Sequence, residues 1–328
     1  MAFSNISQAK QLGFYFNADL NSPAVHLQDL HGDWQSSNHG RYAYGKGIMG
    51  SWFQASNVFV VGVQRRAYYL MDFTHETAVF YGQLENQQLP IGQYPLSLEI
   101  NAHSTDTAYL QYSGGFGSAL RFQLSAYGHK GRQVQIANLE GEGVVLANDS
   151  YEYQYALDYY YGNNQLFDRN EPSASGYGHS FDLSLYYEIS EGTAVFVKAE
   201  DVFYRMYWHE INQDEGCIAR PVPPGELCVL NSQNKTFTQS MPQHYSLGVS
   251  QRYKALELEA EVTEYERHSA FWLKGKLLET QLAMDIINQA YLISYKGSAL
   301  ALSWSFDDVN YNRAHHWQIN MGAQWIFH

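Results

Sequence analysis

The feature that most constrains this chain is a strict alternation of apolar and polar side chains that recurs along its length. Residues 256–263 read LELEAEVT, residues 120–126 read LRFQLSA and residues 96–101 read LSLEIN. A side-chain period of two puts the two sets on opposite faces of a β-strand. A helical stripe longer than about two turns is conceivable only near Ser4–Leu12 and Leu277–Ile287. The pattern therefore predicts an all-β chain.

The connections between the alternating segments differ in length. We expect about 14 to 18 strands of about 8 to 14 residues, which suits tilted strands that cross a membrane. Turns are predicted near 55–57, 190–192 and 254–255, and long loops at about 21–40, 162–178 and 208–243. Counting strands places the loops at one end and the turns at the other. This order favours a transmembrane antiparallel up-and-down β-barrel with long extracellular loops.

Composition favours such a barrel over a soluble β-sandwich, which also alternates and stays the alternative. Charged residues make up 16% of the 328 residues, against roughly 25% in soluble domains. The net charge of −13 argues against a nucleic-acid partner, because phosphate binding needs a basic surface. Tyrosines sharing one parity are expected in an aromatic girdle at the lipid headgroups. They are Tyr151, Tyr153, Tyr155, Tyr159 and Tyr161.

The last strand carries the most specific motif. Residues 317–327 read WQINMGAQWIF, and the alternate positions from Trp317 to Phe327 are apolar. The segment resembles the C-terminal strand of bacterial outer-membrane β-barrels, a porin-like channel superfamily, although His328 follows the aromatic residue that usually closes the chain. The resemblance implies that Trp325 and Phe327 are read by the barrel-assembly machinery. It also implies contact with outer-membrane lipid and lipopolysaccharide, and a homotrimer is conceivable by analogy with porins.

The N-terminal segment is expected to precede the barrel. Residues 1–12 are polar and lack the apolar stretch of a signal peptide, as in a mature secreted chain or a cytosolic protein. Residues 2–12 could form a short amphipathic helix with Ser4 as its N-cap. We therefore divide the chain into a segment 1–12, a candidate plug of the lumen, and a barrel at 13–328.

Cys217 and Cys228, the only cysteines, flank a Pro/Gly-rich segment. In an oxidising compartment this spacing predicts a disulfide that closes a loop. A zinc site is the alternative, but His209 is the only other ligand candidate nearby. We expect no metal and no cofactor.

If the apolar side chains face lipid, the opposite parity faces the barrel interior. Glu257, Glu259 and Glu261 would then form a ladder of carboxylates that concentrates cations, unless basic neighbours neutralise them. A barrel of more than about 12 strands is too wide for side chains to fill, so we expect water inside. The predicted pore-lining residues are Glu99, Arg121, Lys198, Glu200, Arg252, Glu257, Glu259 and Glu261.

No catalytic constellation stands out, and we expect no enzyme. His103 and Ser104 fall on opposite strand faces, and the Asp307–His316 segment lacks a second acidic site. The leading hypothesis is a porin-like outer-membrane channel for ions or small polar solutes, with a preference for cations. One alternative is an export barrel for a secreted polymer, an exopolysaccharide or an amyloid subunit. Another is a surface receptor or adhesin that uses the loop between the cysteines.

Overall fold

The computed structural model describes residues 10–31, 41–54, 56, 58–85, 90–146, 150–162, 175–221, 228–265 and 268–327. They form sixteen strand segments, one α-helix (α1, His75–Glu85) and a turn of 3-10 helix (Asp29–His31). The strand segments are β1 Lys10–Asn21, β2 Tyr42–Gln54, β3 Phe59–Phe73, β4 Gly92–Phe116, β5 Leu120–Val145, β6 Tyr151–Tyr161, β7 Ser175–Ser190, β8 Thr193–Arg220, β9 Leu230–Ser240, β10 His244–Tyr253, β11 Leu256–Tyr265, β12 His268–Leu277, β13 Thr280–Asp285, β14 Ala290–Lys296, β15 Leu300–Phe306 and β16 His316–Phe327.

These segments form one antiparallel sheet that closes on itself, since β1 pairs with both β2 and β16. Two wall strands are interrupted. β6 and β7 follow one another along β5, where Tyr161 pairs with Gln135 and Gly176 pairs with Gly131. β9 and β10 follow one another along β8 in the same way. The result is a closed 14-stranded antiparallel barrel, which confirms the predicted fold class.

The two ends of the barrel differ. Tight turns join β4 to β5, β7 to β8, β10 to β11 and β12 to β13 at one end. At the other end β4, β5 and β8, which have 25, 26 and 28 residues, continue past their neighbours. Together with β6 and β9 they form a sheet, here called the projecting sheet, that rises on one side of the barrel. Outer-membrane barrels carry their long connections at the extracellular end, so this end is called the extracellular end below.

Several predicted boundaries are wrong. The segment 208–243 is largely strand rather than loop, because β8 runs to Arg220 and β9 follows it. β1 begins at Lys10, so residues 10–12 lie in the wall, while residues 1–9 of the candidate plug lie outside the described residues. β7 begins at Ser175, inside the predicted loop 162–178. The segment 208–243 does not show the alternating pattern throughout because β9 belongs to the projecting sheet and needs no apolar face toward lipid.

The outer face of the wall carries a continuous apolar band. Leu247 and Val249 on β10 are 59% and 44% exposed, and Leu258 on β11 is 53% exposed. Soluble proteins rarely expose such a surface, whereas a membrane barrel requires it because lipid surrounds the wall. The barrel therefore spans a membrane. Trp325 and Phe327 lie in this band, and Trp325 packs edge-to-face on Phe14 at a ring-centroid distance of 5.8 Å.

The predicted tyrosine girdle is wrong. β6 pairs with the distal parts of β5 and β8 and lies in the projecting sheet, away from the apolar band. Tyr159 and Tyr161 are buried there, at 0% and 2% exposure. The tyrosines do share one face of β6, but alternation along a strand does not indicate how far the strand lies from the membrane.

Among the described residues no helix is both long and apolar enough to cross a bilayer.

Candidate functional site

The barrel interior is crossed by side chains from opposite walls. Tyr44 on β2 and Tyr265 on β11 pack ring against ring at a centroid distance of 5.1 Å, and Tyr68 on β3 lies 6.3 Å from Tyr265. β2 and β11 are half the ring apart. Opposite walls must therefore approach one another at this level. The expectation that side chains cannot fill so wide a barrel does not hold here, because the cross-section is flattened rather than round.

An apolar and aromatic cluster, here called the aromatic layer, fills the interior on the extracellular side of this contact. Trp208 on β8 is fully buried in it and lies over Gly131 and Gly176 of the neighbouring strands. A Cβ atom on either glycine would sit 2.4 or 2.6 Å from an indole carbon, so only glycine leaves room for the ring. The buried members of the aromatic layer are Tyr44, Tyr68, Val134, Tyr204, Met206, Trp208, Ile211 and Met241.

Hydrogen bonds fix the indole of Trp208 across the barrel. Its Nε1 donates to Gln239 Oε1 on β9 at 2.8 Å, and Gln239 Nε2 donates to Asn101 Oδ1 on β4 at 2.6 Å. A buried indole N–H needs such a partner, because leaving it unpaired costs free energy. The chain of contacts therefore links β8, β9 and β4 through the interior.

A network of buried charges lies next to the aromatic layer. The Arg66 guanidinium on β3 contacts the Asp201 carboxylate on β8 at 2.7 Å, and Lys46 Nζ on β2 contacts it at 3.3 Å. The side chains of Arg66 and Asp201 are only 9% and 7% exposed. Asp201 has a φ of 57°, in the left-handed region that aspartate tolerates better than most residues, and its N–H donates to Asp182 Oδ1 at 2.8 Å. The bulged backbone thereby turns the carboxylate into the interior, toward β2 and β3.

A polar cavity of about 470 Å³ lies beside this network. Its wall is supplied by β1, β2, β8, β10, β11, β12, β14 and β16. Its lining combines charges of both signs with amides, histidines and the rings of Tyr44, Tyr265 and Trp272. The charged residues around it are Asp19, Lys46, Lys198, Glu200, Glu261 and Lys274.

A second cavity of about 510 Å³ lies closer to the tight-turn end. Lys198 lines both cavities, so the two adjoin. Among its lining residues are Arg121, Arg252, Glu257 and Glu259. Seven of the eight predicted pore-lining residues thus border one of the two cavities. The exception is Glu99, which lies in the projecting part of β4 and borders neither.

Each carboxylate of the glutamate ladder has a basic partner. Glu257 lies 3.2 Å from Arg252, and Glu259 lies 2.7 Å from Lys274. Glu261 contacts Lys274 as well and lies 3.5 Å from Lys198. These contacts therefore fit the alternative in which basic neighbours neutralise the carboxylates of the ladder. Lys274 was not foreseen, although the hairpin of β11 and β12 places it directly opposite Glu259.

The remaining predicted residues have separate surroundings. Glu200 lies 3.2 Å from His244 Nδ1, and the Arg121 guanidinium lies 4.1 Å from the centre of the Tyr186 ring. Cys217 and Cys228 form the predicted disulfide, which ties β8 to the segment that leads into β9. Among the described residues no group of three or more histidine, cysteine, aspartate or glutamate side chains could hold a metal ion.

The side chains considered for catalysis have structural partners. His103 Nε2 and the Tyr204 hydroxyl are 2.7 Å apart in the interior, whereas Ser104 bonds to Gln133. Asp307 accepts the backbone N–H groups of His315 and His316 at 3.0 Å. These contacts hold a wall and a loop together, and they form no nucleophile–base pair.

Comparison with known proteins finds distant structural likenesses. No protein-family profile matches the chain, and no curated protein is similar to it in sequence. A Pseudomonas aeruginosa FadL homologue matches 98% of this chain and 91% of its own, with 9% identity and a TM-score of 0.44. The Pseudomonas putida toluene transporter TodX matches 98% of this chain and 90% of its own, with 10% identity and a TM-score of 0.41. The Escherichia coli outer-membrane protease OmpT matches 100% of this chain and 99% of its own, with 9% identity and a TM-score of 0.24.

At such identities and TM-scores these likenesses carry no argument about activity. The closed antiparallel wall and its apolar band come from the chain's own residues. Because a spanning sheet must close to satisfy its backbone in lipid, these two features belong together. The protein is a closed, membrane-spanning β-barrel.

Proposed function

We propose that the protein is an outer-membrane channel for small polar solutes, which bind in the 470 Å³ cavity on their way through the barrel. The observation that carries this proposal is the cavity's lining. Lys198 and Lys274 offer hydrogen-bond donors, Glu200 and Asp19 offer acceptors, and Trp272 offers an aromatic face. Binding sites for small polar molecules combine convergent polar groups with apolar walls in this way.

The charges favour solute binding over strong ion selectivity. A ring of unpaired carboxylates would concentrate cations, but the ladder glutamates contact Lys274, Lys198 and Arg252. Paired charges cancel most of their field beyond a few ångströms. We therefore infer weak selectivity between small cations and anions, in place of the cation preference expected from the ladder alone.

The aromatic layer acts as the gate in this proposal. Tyr44 and Tyr265 meet above the cavity, and separating them would join the cavity to the extracellular end. The rings contact each other by packing, and the Tyr44 hydroxyl also donates to Asp19. A rotamer change that breaks this hydrogen bond would part the rings and leave the wall intact. We also propose that Trp325 and Phe327 form the signal for barrel assembly. A trimer of the barrel is a further part of the proposal.

Liposome swelling tests the channel. Proteoliposomes should admit small sugars and amino acids, and a Ser246→Trp variant should slow their entry because Ser246 lines the cavity. Leu247→Trp is the matched control, since the next residue on β10 points to lipid and is 59% exposed. Equal swelling rates for Ser246→Trp, Leu247→Trp and the unaltered protein would refute passage through the cavity.

A further inference from the structure

Four basic side chains are exposed on the outer surface of one side of the barrel. They are Arg65 on β3, Lys130 and Arg132 on β5, and Arg205 on β8, and they are called the basic patch below. The side chains of Arg65 and Arg132 are 55% and 48% exposed. Asp106 on β4 lies between them, at 3.0 Å from Arg65 and 2.8 Å from Arg132. The chain has a net charge of −13, so this local excess of positive charge is unusual for it.

The basic patch begins where the apolar band ends. Val61 and Val63 precede Arg65 on the same face of β3 and are 48% and 59% exposed. On β5 the exposed Leu124 belongs to the face that reaches Lys130 three alternate positions later. Because the patch lies on the side of the band toward the projecting sheet, it is level with the headgroups of the outer leaflet.

A groove runs down from the basic patch along the wall. It measures about 860 Å³, and Arg65 and Lys130 border it together with Phe14, Met49 and Val63. The hollow exists because small residues face outward there: a Cβ atom added to Gly128 would meet no other atom within 4 Å. Its apolar part faces the hydrocarbon of the membrane, and its basic part faces the headgroups.

The chemistry of the patch suits a phosphate. A guanidinium carries five N–H donors, and Asp106 occupies only some of those on Arg65 and Arg132. The carboxylate thus holds both side chains near each other while their remaining donors face outward. Arginine binds phosphate oxygens in bidentate fashion with charge-assisted hydrogen bonds, and a lysine nearby adds a point charge.

We propose that the basic patch and its groove bind the phosphorylated glycolipid of the outer leaflet, lipopolysaccharide. A lipid A phosphate contacts Arg65, Lys130 and Arg132, and an acyl chain lies along Met49 and Val63. The outer leaflet is the side on which the patch lies, which favours this lipid over the glycerophospholipids of the inner leaflet. The inference rests on the outer-membrane location in the proposed function, but the site is on the outside of the wall and does not depend on passage through the interior.

Native mass spectrometry of the detergent-purified barrel tests the site. The protein is titrated with hexa-acyl lipid A that bears both phosphates, with dephosphorylated lipid A, and with phosphatidylglycerol. We expect one tightly held lipid A per barrel and weaker binding of the other two. The triple variant Arg65→Gln, Lys130→Gln, Arg132→Gln should lose roughly tenfold or more of the affinity.

Two further variants separate recognition from general charge and from folding. The triple Lys235→Gln, Lys254→Gln, Lys296→Gln removes the same charge elsewhere and should bind lipid A like the unaltered protein. Asp106→Asn should strengthen binding, because it frees both arginines for the phosphate, whereas a purely structural role of Asp106 would give unchanged or weaker binding. A heat-modifiable gel shift confirms that each barrel is folded. Unchanged affinity in the patch triple, or equal affinity for dephosphorylated lipid A, would overturn the proposal.

Discussion

Tyr44 and Tyr265 pack ring against ring across the barrel, 5.1 Å between centroids, although their strands stand on opposite sides of the wall. The barrel is closed at this level by side chains of the wall itself. Around this contact lie the buried Arg66–Asp201 pair and the indole of Trp208. Conductance, stability and selectivity should therefore respond to substitutions inside the barrel in distinct ways.

Removing the ring of Tyr265 should raise the conductance. Tyr265→Ala deletes one side of the contact with Tyr44 and Tyr68, and water can then enter the gap. Planar-bilayer recordings should show a several-fold larger single-channel conductance. Tyr253→Ala is the control, because Tyr253 is 69% exposed near the tight-turn end. The gate proposal fails if the two variants conduct alike.

Trp208 and Gly131 should be coupled in stability. Trp208→Ala empties a fully buried site and should cost about 3–5 kcal/mol of unfolding free energy. Gly131→Ala forces a Cβ atom against the indole and should cost about 1–3 kcal/mol. In the double variant the second cost should largely vanish, because the ring is gone. Urea unfolding in lipid vesicles measures this cycle, and additive costs would contradict the packing described.

Neutralising Asp201 should destabilise the barrel far more than neutralising an exposed partner. Asp201→Asn leaves the Arg66 guanidinium buried without its carboxylate, which costs about 3–5 kcal/mol. Asp308→Asn removes a comparable pair with Arg313, whose side chain is 65% exposed, and should cost less than about 1 kcal/mol. Combining Asp201→Asn with Arg66→Met, which removes the buried cation and keeps a residue that tolerates the positive φ, should recover much of the loss. Equal unfolding midpoints for the two single variants would show that the buried pair is unimportant.

Selectivity should shift in opposite directions when Lys274 or its glutamate partners lose their charge. Lys274→Gln releases Glu259 and Glu261 from their shared partner, so the reversal potential in a salt gradient should shift toward cation preference. Replacing Glu257, Glu259 and Glu261 by glutamine should shift it the opposite way, toward anion preference, because Lys274, Lys198 and Arg252 then lose their partners. Lys254→Gln, at the turn between β10 and β11, serves as the control. An unaltered channel that prefers cations, and a glutamate triple that is non-selective, would favour the unpaired ladder.

The barrel could be predicted because its strands are recognisable from the local alternation of apolar and polar residues. Alternation at 256–263 and 120–126 requires no knowledge of neighbours, and it gave the correct class and a range that includes the observed strand number. β9 was missed because LNSQNKTFTQS lacks an apolar face. Helix α1 was missed as well, although Thr74 caps it by accepting the N–H of Thr77 at 3.2 Å.

The interior was only partly predictable, for a different physical reason. Parity identified which residues on β8, β10 and β11 face inward, and most of them border the cavities. Cross-barrel partners depend on ring closure and on bulges, and neither leaves a local mark in the sequence. Asp201 illustrates this, because its positive φ turns the side chain toward Arg66 from a wall several strands away.

The two interrupted wall strands have a consequence for how this surface can evolve. β6 and β9 lengthen the extracellular side without adding a strand to the ring. Circumference and shear are fixed by the fourteen wall strands, whereas the height of the projecting sheet is set by a few hairpins. The projecting sheet can therefore grow, shrink or diverge as a module while the part embedded in lipid keeps its diameter.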